Sequence, residues 1–408
     1  MNFSDINILD FDYPLPENRI AKFPLEKRDA SKLLVLKDGR IRENRFYEIS
    51  GILPAGSLLV FNETRVIQAR LIFAKESGAK IEIFCLEPVA PSTDFQLAFQ
   101  QKLKVRWKCL VGNSKRWKSG KLRMKISIDQ KEFMLEAKRL KKSGETSIIE
   151  FRWDAAASFG DILENSGHTP IPPYLKRNSV ASDKERYQTL YARNRGSVAA
   201  PTAGFHFTEE VLQQIKKRGI EQTKLSLHVG AGTFRPIVAE NVTEHEMHHE
   251  KIMISKESIE KIHAHLPDQV IAVGTTSVRT LESLYWYGLY CLKKKELQQE
   301  LMVRQWDPYQ YQQDELLPAK EILSFLLKKM NEKGIESLQG STQLMILPGY
   351  AYQIVQGMIT NFHQPRSTLL LLVSAFIKEK WKEAYDFALG NDFRFLSYGD
   401  SCLFLPVK

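Results

Sequence analysis

The chain has 408 residues, 43% of them hydrophobic, with a formal net charge of +10 and a pI near 9.2. That length and apolar content can bury a sizeable core and build two domains or more, which excludes a disordered or low-complexity class. Cys85, Cys109, Cys291 and Cys402 stand far apart with no C-x-x-C pair, which excludes a disulfide scaffold and leads to the expectation of a reduced, cytoplasmic protein.

The N-terminal string MNFSDINILDFDYPLP carries acids where a secretory signal needs basic and long apolar stretches, so none is expected. Residues 101–145 hold 15 Lys or Arg against 4 Asp or Glu, a local balance of +11, so the rest of the chain is close to neutral. The same segment alternates apolar and polar residues in KLKVRWKCLVG, KLRMKISID, EFMLEAKRL and TSIIEFRW, broken at GNSKRWKSG and KKSGE. Several short strands at that spacing predict a small all-β barrel, and its charge suits an RNA backbone. Trp107 and Trp117 have the ring faces to stack bases, although tryptophans in a small barrel more often fill its core.

Residues 196–234 and 270–283 alternate strand, Gly/Thr turn and helix. Thr208 is placed to cap a helix that runs to Arg218 and stops at Gly219. KLSLHV at 224–229 and VIAV at 270–273 read as strands that end in glycine and threonine. A helix is predicted to start at Thr275 or Thr276, with Val278, Leu281, Leu284 and Tyr285 on one face. In an open α/β sheet, ligands bind outside the carboxyl ends of strands, where glycine lets backbone amides approach closely. This predicts an α/β main domain with a mixed sheet, and a site at those turns.

The string HEMHH at 245–249 satisfies the H-E-x-x-H pattern of zinc hydrolases. EKIMIS follows at once with strand character and only a short stretch after Pro236 could supply the helix that pattern needs, so no metal is expected. An amphipathic helix is predicted near 319–333, closed by Gly334. LLLLVSAF near the C-terminus is too short to span a bilayer. Nothing in the pattern sets an oligomeric state, and a monomer is the expectation.

Beyond these local readings, the strings FDYPLPENRIAKFPLEKRDASKLLVL, LLVFNETRVIQARL, GHTPIPPYL, ERYQTLYA, GSVAAPTAGFHF, LHVGAGTFRPI, GTTSVRTLES, TNFHQPRSTLLLLVSAF and FRFLSYGDSCLF follow one another in family order. Together they resemble the S-adenosylmethionine:tRNA ribosyltransferase-isomerases of queuosine biosynthesis. The resemblance implies transfer of the ribosyl group of S-adenosylmethionine to 7-aminomethyl-7-deazaguanine (preQ1) at the tRNA wobble position. Epoxyqueuosine-tRNA would form, adenine and methionine would leave, and no metal or other cofactor would be needed. Family segments on both sides of the barrel make it an insertion. The domains are then 1–71 with 152–408 as the catalytic part, carrying an extra insert at about 288–341, and 72–151 as the barrel.

Loss of a proton beside the sulfonium and protonation of the departing adenine call for acids and bases. In the matched motifs the candidates are His206, His228, His248, Glu250 and Asp400, with His206 and His228 preferred because each adjoins a glycine-rich strand or loop end. Arg279 and the amides at Thr275 and Thr276 suit the methionine carboxylate. Tyr187, Phe207, Phe234 and Phe362 suit adenine and the sulfonium, and Arg65 and Arg70 a phosphate or ribose. Pro201, Thr202, Gly204, Gly230, Gly232, Thr233, Gly274, Asn361 and His363 complete the candidate binding set.

The chain departs from the family wording at Glu63, Gln68, Gln364 and Arg366, and in its 288–341 insert. Those departures leave a paralogue with another acceptor as an alternative, beside a non-catalytic RNA-binding protein. A methyltransferase would share the donor, but GAGT at 230–233 lacks the G-x-G-x-G turn into a helix.

Overall fold

A computed structural model describes residues 6–154, 157–230 and 241–405. The chain packs as two units, Met1–Glu63 with Gln188–Ala192 and Pro201–Lys408, and Thr64–Tyr187 with Arg193–Ala200. The 72–151 segment lies within the second.

The first unit is built on a ten-stranded mixed sheet. Its order is Leu301–Val303, Ser337–Thr342, Glu250–Ser255, Glu221–His228, Leu58–Asn62, Val270–Val273, Gly357–Asn361, Ser401–Leu405, Lys32–Lys37 and Arg40–Arg45. Four neighbouring strands at its centre, Glu221–His228, Leu58–Asn62, Val270–Val273 and Gly357–Asn361, run parallel. Leu58–Asn62, Val270–Val273, Gly357–Asn361 and Ser401–Leu405 are buried along their whole length, as strands covered on both faces must be.

On one face, Leu59, Phe61, Ile271, Val273, Ile359 and Leu403 pack with Phe46, Phe207, Val211 and Ile215. Each such side chain contributes about 1.5–3 kcal/mol by leaving water. Val211 and Ile215 lie on the helix Glu209–Lys217, whose first turn is capped by Thr208 Oγ1, accepting from the Val211 amide at 3.3 Å. The helix Thr275–Lys294 is buried around most of its circumference, which marks it as an interior element. Its cap is Gly274 rather than a threonine, because a φ of +87° turns the chain from strand to helix in one residue, a conformation threonine would resist.

The 288–341 insert supplies the sheet's edge instead of only covering it. Leu301–Val303 pairs with Ser337–Thr342, which continues the sheet from Glu250–Ser255. The helix Ala319–Lys333 ends at Gly334 with φ +65° and packs on Thr275–Lys294 and Lys256–His265.

The second unit holds a six-stranded antiparallel sheet in the order Arg70–Ala74, Lys80–Ala90, Lys104–Gly112, Thr146–Arg152, Lys131–Ser143 and Lys121–Ile128. Its two edge strands approach each other and nearly close a barrel. Trp107 is fully buried among Phe95, Phe99 and Phe159. Trp117 is buried under the Arg139 guanidinium, with its Nε1 donating to the Gly120 carbonyl at 3.3 Å. Both tryptophans are therefore core, and neither presents a face to a base. All four cysteines are free and buried. Among the described residues no helix is long and apolar enough to cross a membrane.

Candidate active site

The four parallel strands end together at Asn62, His228, Val273 and Asn361. Glu250–Ser255 and Ser401–Leu405 run against their neighbours in the sheet, and Lys32–Lys37 runs with Ser401–Leu405, so Glu250, Ser401 and Lys32 start at the same edge. This carboxyl edge collects most of the candidate residues of the first unit.

His206 sits at its base in the short turn Thr202–His206. Its Nδ1 lies 2.8 Å from Ser31 Oγ, and its Nε2 accepts from Asn361 Nδ2 at 3.2 Å. The Asn361 amide is oriented by Thr202 Oγ1, which donates to its Oδ1 at 2.8 Å, and by the Asp400 carbonyl, which accepts from its Nδ2 at 3.4 Å. Nδ1 must then carry the imidazole proton. Burial pushes the pKa of His206 down to about 3, aided by the charges of Arg394 and Arg28, so the ring is neutral near pH 7. Both ring nitrogens of His206 are therefore engaged in hydrogen bonds.

The turn is tight for a steric reason. A Cβ on Gly204 would meet Tyr191 Oη at 2.0 Å and Thr189 Cγ2 at 2.7 Å, so only glycine fits. Asn62 performs a similar service on the next strands. It pairs with the Leu227 backbone through both amide atoms, at 3.0 and 3.1 Å, and reaches Thr276 Oγ1 at 3.5 Å. The first amides of Thr275–Lys294 have no acceptor within the helix, so they and the helix dipole present positive potential at this edge.

Glu250 and Arg279 were candidates for separate roles, as catalyst and as carboxylate clamp. They form a buried ion pair with each other, and Arg279 Nε also donates to the Leu344 carbonyl at 3.1 Å. The Nη2 of Arg279 is buried and has no hydrogen-bond partner among the described residues. Asp400 is likewise occupied, because its carboxylate accepts from the amides of Lys32 and Arg394 at 3.0 and 2.7 Å and from Arg394 Nη2 at 3.3 Å. His363 bonds Thr360 Oγ1 through Nε2 at 3.0 Å, and burial drives its pKa down to about 3.

The aromatic candidates are core rather than walls. Phe207 is sealed by Phe46 and Phe61, and Phe362 by Tyr385, Phe393 and Phe395, so neither ring has an exposed face for adenine. Tyr187 is fully buried in the second unit. Arg65 and Arg70 also belong to that unit, 3.9 and 3.8 Å from Glu164 and Glu82, and Arg70 stacks on Phe84. His228 is half-buried at the end of its strand, Gly230 follows it, and Pro201 is buried before the turn that holds Thr202 and Gly204, whereas His248 is exposed. Gly232, Thr233 and Phe234 lie outside the described residues. Residues 245–249 form no helix and lead into Glu250–Ser255, so His245 and His249 are not one helical turn apart. No group of three or more His, Cys, Asp or Glu suited to a metal occurs among the described residues.

A hollow of about 1400 Å³ opens at the opposite edge of the same sheet, lined by Gln269, Tyr350, Tyr352, Gln356 and Trp381 among others. Ser57, Gln269 and Gln356 line it just ahead of Leu58, Val270 and Gly357, so it sits at strand amino ends, whereas the helix-start amides and the polar network converge at the carboxyl ends.

A family model described as queuosine biosynthesis protein matches residues 8–404. The chain is 38% identical over 405 residues to the S-adenosylmethionine:tRNA ribosyltransferase-isomerase of Carboxydothermus hydrogenoformans, covering 98% of this chain and 100% of that one. It is 37% identical over 397 residues to the enzyme of the same name from Francisella tularensis subsp. novicida, covering 96% and 98%. The crystal structure of S-adenosylmethionine tRNA ribosyltransferase from Thermotoga maritima aligns over 97% of this chain and 100% of that one, at 28% identity and a TM-score of 0.45. The chain belongs to the queuosine biosynthesis protein family.

Within that family frame, Arg366 is half-exposed, 3.4 Å from Asp12, which offsets its charge locally. Glu63 lies 3.9 Å from Lys224. Ser31 and Asn62 were missed as site residues, although an asparagine ending the apolar strand LLVFN was a signal available in the sequence.

Proposed function

We propose that this chain is an S-adenosylmethionine:tRNA ribosyltransferase-isomerase. It would transfer the ribosyl group of the donor to the aminomethyl group of 7-aminomethyl-7-deazaguanine at the tRNA wobble position and isomerise it to the epoxycyclopentane of epoxyqueuosine, releasing adenine and methionine. The observation that carries this reading is the family match from residue 8 to 404, with relatives of that name aligned over nearly their whole length.

The carboxyl edge is assigned the donor. Helix-start amides at Thr275 and Thr276 and the unpaired Nη2 of Arg279 suit the methionine carboxylate, with Glu250 positioning the guanidinium. Proton removal beside the sulfonium is assigned to His228, since His206 is engaged at both nitrogens. His206, Thr202 and Asn361 hold the turn against the strand ends. The second unit is assigned the role of an inserted domain, and the protein a cytoplasmic, tRNA-modifying one.

The test uses donor carrying isotope in the ribose and, separately, in the methyl group, with tRNA bearing 7-aminomethyl-7-deazaguanine. Ribose label on the tRNA nucleoside, with the methyl group retained in methionine, supports the reading. Methyl label on RNA would make the chain a methyltransferase, and tRNA binding with intact donor would make it an RNA-binding protein.

A further inference from the structure

The outer face of the six-stranded sheet carries two cross-strand rows of charge. One row is Lys104, Arg152, Glu136 and Arg123; the next is Arg106, Glu150, Lys138 and Lys121. These eight side chains share one face, because the alternate residues Val105, Trp107, Phe151, Leu135, Ala137 and Leu122 are buried on the other. Six cations therefore face two carboxylates.

The two carboxylates organise the patch. Glu136 bridges Lys121 and Arg123 at 2.6 and 2.9 Å, and Glu150 bridges Arg106 and Arg152 at 2.9 and 2.7 Å. Hydrogen bonds from Lys121 and Arg123 hold Glu136 below the ordinary carboxylate range. Burial works against ionisation of Glu150, but Arg106 and Arg152 hold it below that range too. Lys104 and Lys138 are exposed and have no carboxylate within 4.0 Å among the described residues. Lys104 lies directly opposite Arg152 across the ladder, and Lys138 lies between Glu150 on one side and Lys121 on the other. Like charges directly opposite destabilise a sheet, so cross-strand pairing does not account for the Lys104–Arg152 and Lys138–Lys121 neighbours, which leave the patch with an excess of cations.

Four strands about 4.8 Å apart make the patch roughly 14 Å wide, the length over which one nucleic-acid strand presents about four phosphates. The loop at 113–120 extends the basic character: Lys115, Arg116 and Lys118, with Lys75, line a hollow of about 470 Å³ that has no acidic residue in its wall.

We propose that this outer sheet face is where the phosphate backbone of the tRNA docks. The inference rests on the tRNA-modifying reading above and names the surface that serves it. Phosphate contacts of this kind position an RNA without reading its sequence.

The experiment measures affinity of an unmodified tRNA transcript over a salt series for wild type and for Lys104→Ala/Lys138→Ala. Loss of two phosphate contacts should weaken binding about tenfold or more and reduce the slope of log K against log salt by roughly 1.4–1.8. With preQ1-bearing tRNA, KM should rise while kcat at saturation stays unchanged. Unchanged affinity and slope would overturn the proposal. Because Lys104 and Lys138 are exposed and without ion pairs, the variant should fold. A second variant, Lys115→Ala/Lys118→Ala, tests the hollow separately, with a smaller loss expected, and affinity lost only there would also overturn the sheet-face assignment. If wild type binds tRNA yet leaves the donor intact, the catalytic reading fails while the docking result still stands on its own.

Discussion

The two edges of the ten-stranded sheet differ in kind. At the carboxyl edge, loops that are 155 and 175 residues apart in sequence, carrying Asn361, His206 and Ser31, meet in one polar network. At the amino edge a hollow of about 1400 Å³ is framed by aromatic rings and by residues 348–356, which Glu282 pins through the amides of Gln353, Ile354 and Val355 at 2.9–3.0 Å. The contrast separates volume from chemistry. Proton transfer from a sulfonium donor needs fixed polar groups, and those are concentrated, with the helix-start amides, at the carboxyl edge.

The comparison breaks most sharply at His228. His228→Ala should lower adenine release about 10²–10⁴-fold with the thermal transition retained, as loss of a general base does. A rate within threefold of wild type would remove His228 from the chemistry. Arg279→Met should cost about 3–5 kcal/mol of stability, read by denaturant unfolding, because it leaves Glu250 buried and unpaired. Glu250→Leu/Arg279→Met should recover much of that stability but none of the activity.

Smaller effects sharpen the same contrast. Gly204→Ala should cost about 1–3 kcal/mol through the clash with Tyr191 and Thr189, and an unaltered melting temperature would mean the turn is not that tight. His206 is neutral when folded, with a pKa near 3 against an ordinary 6.5, so the unfolded chain takes up its proton first as pH falls. Its contribution is complete above about pH 6.5 and drains away between 6.5 and 3, at up to about 1.4 kcal/mol per pH unit. His206→Gln should flatten that slope in acid unfolding. At the amino edge, Lys382→Ala on the rim of the hollow should change stability by less than about 0.5 kcal/mol and leave adenine release unchanged.

Local signals in the sequence located elements well. EKIMIS and VIAV form the strands Glu250–Ser255 and Val270–Val273, and Thr208 and Gly334 cap the helices they were expected to cap. The strand-end Gly274 and Thr275 lie at the carboxyl edge, where Val270–Val273 gives way to its helix. Partnerships did not follow from spacing: Ser31 meets His206, and Glu250 meets Arg279, only because the sheet order brings distant loops together. Burial was hidden for the same reason. Phe207 and Phe362 stand in site motifs, yet their rings fill the core beneath the site, which residue type alone does not reveal.

The claim that the donor binds at the carboxyl edge is tested most directly by amide hydrogen exchange with and without S-adenosylmethionine. Protection is predicted at Asn62, 202–206, 228–230, 274–279 and Asn361, with 348–356 and 374–382 unaffected. Protection confined to those amino-edge segments would contradict the account and move the site to the large hollow.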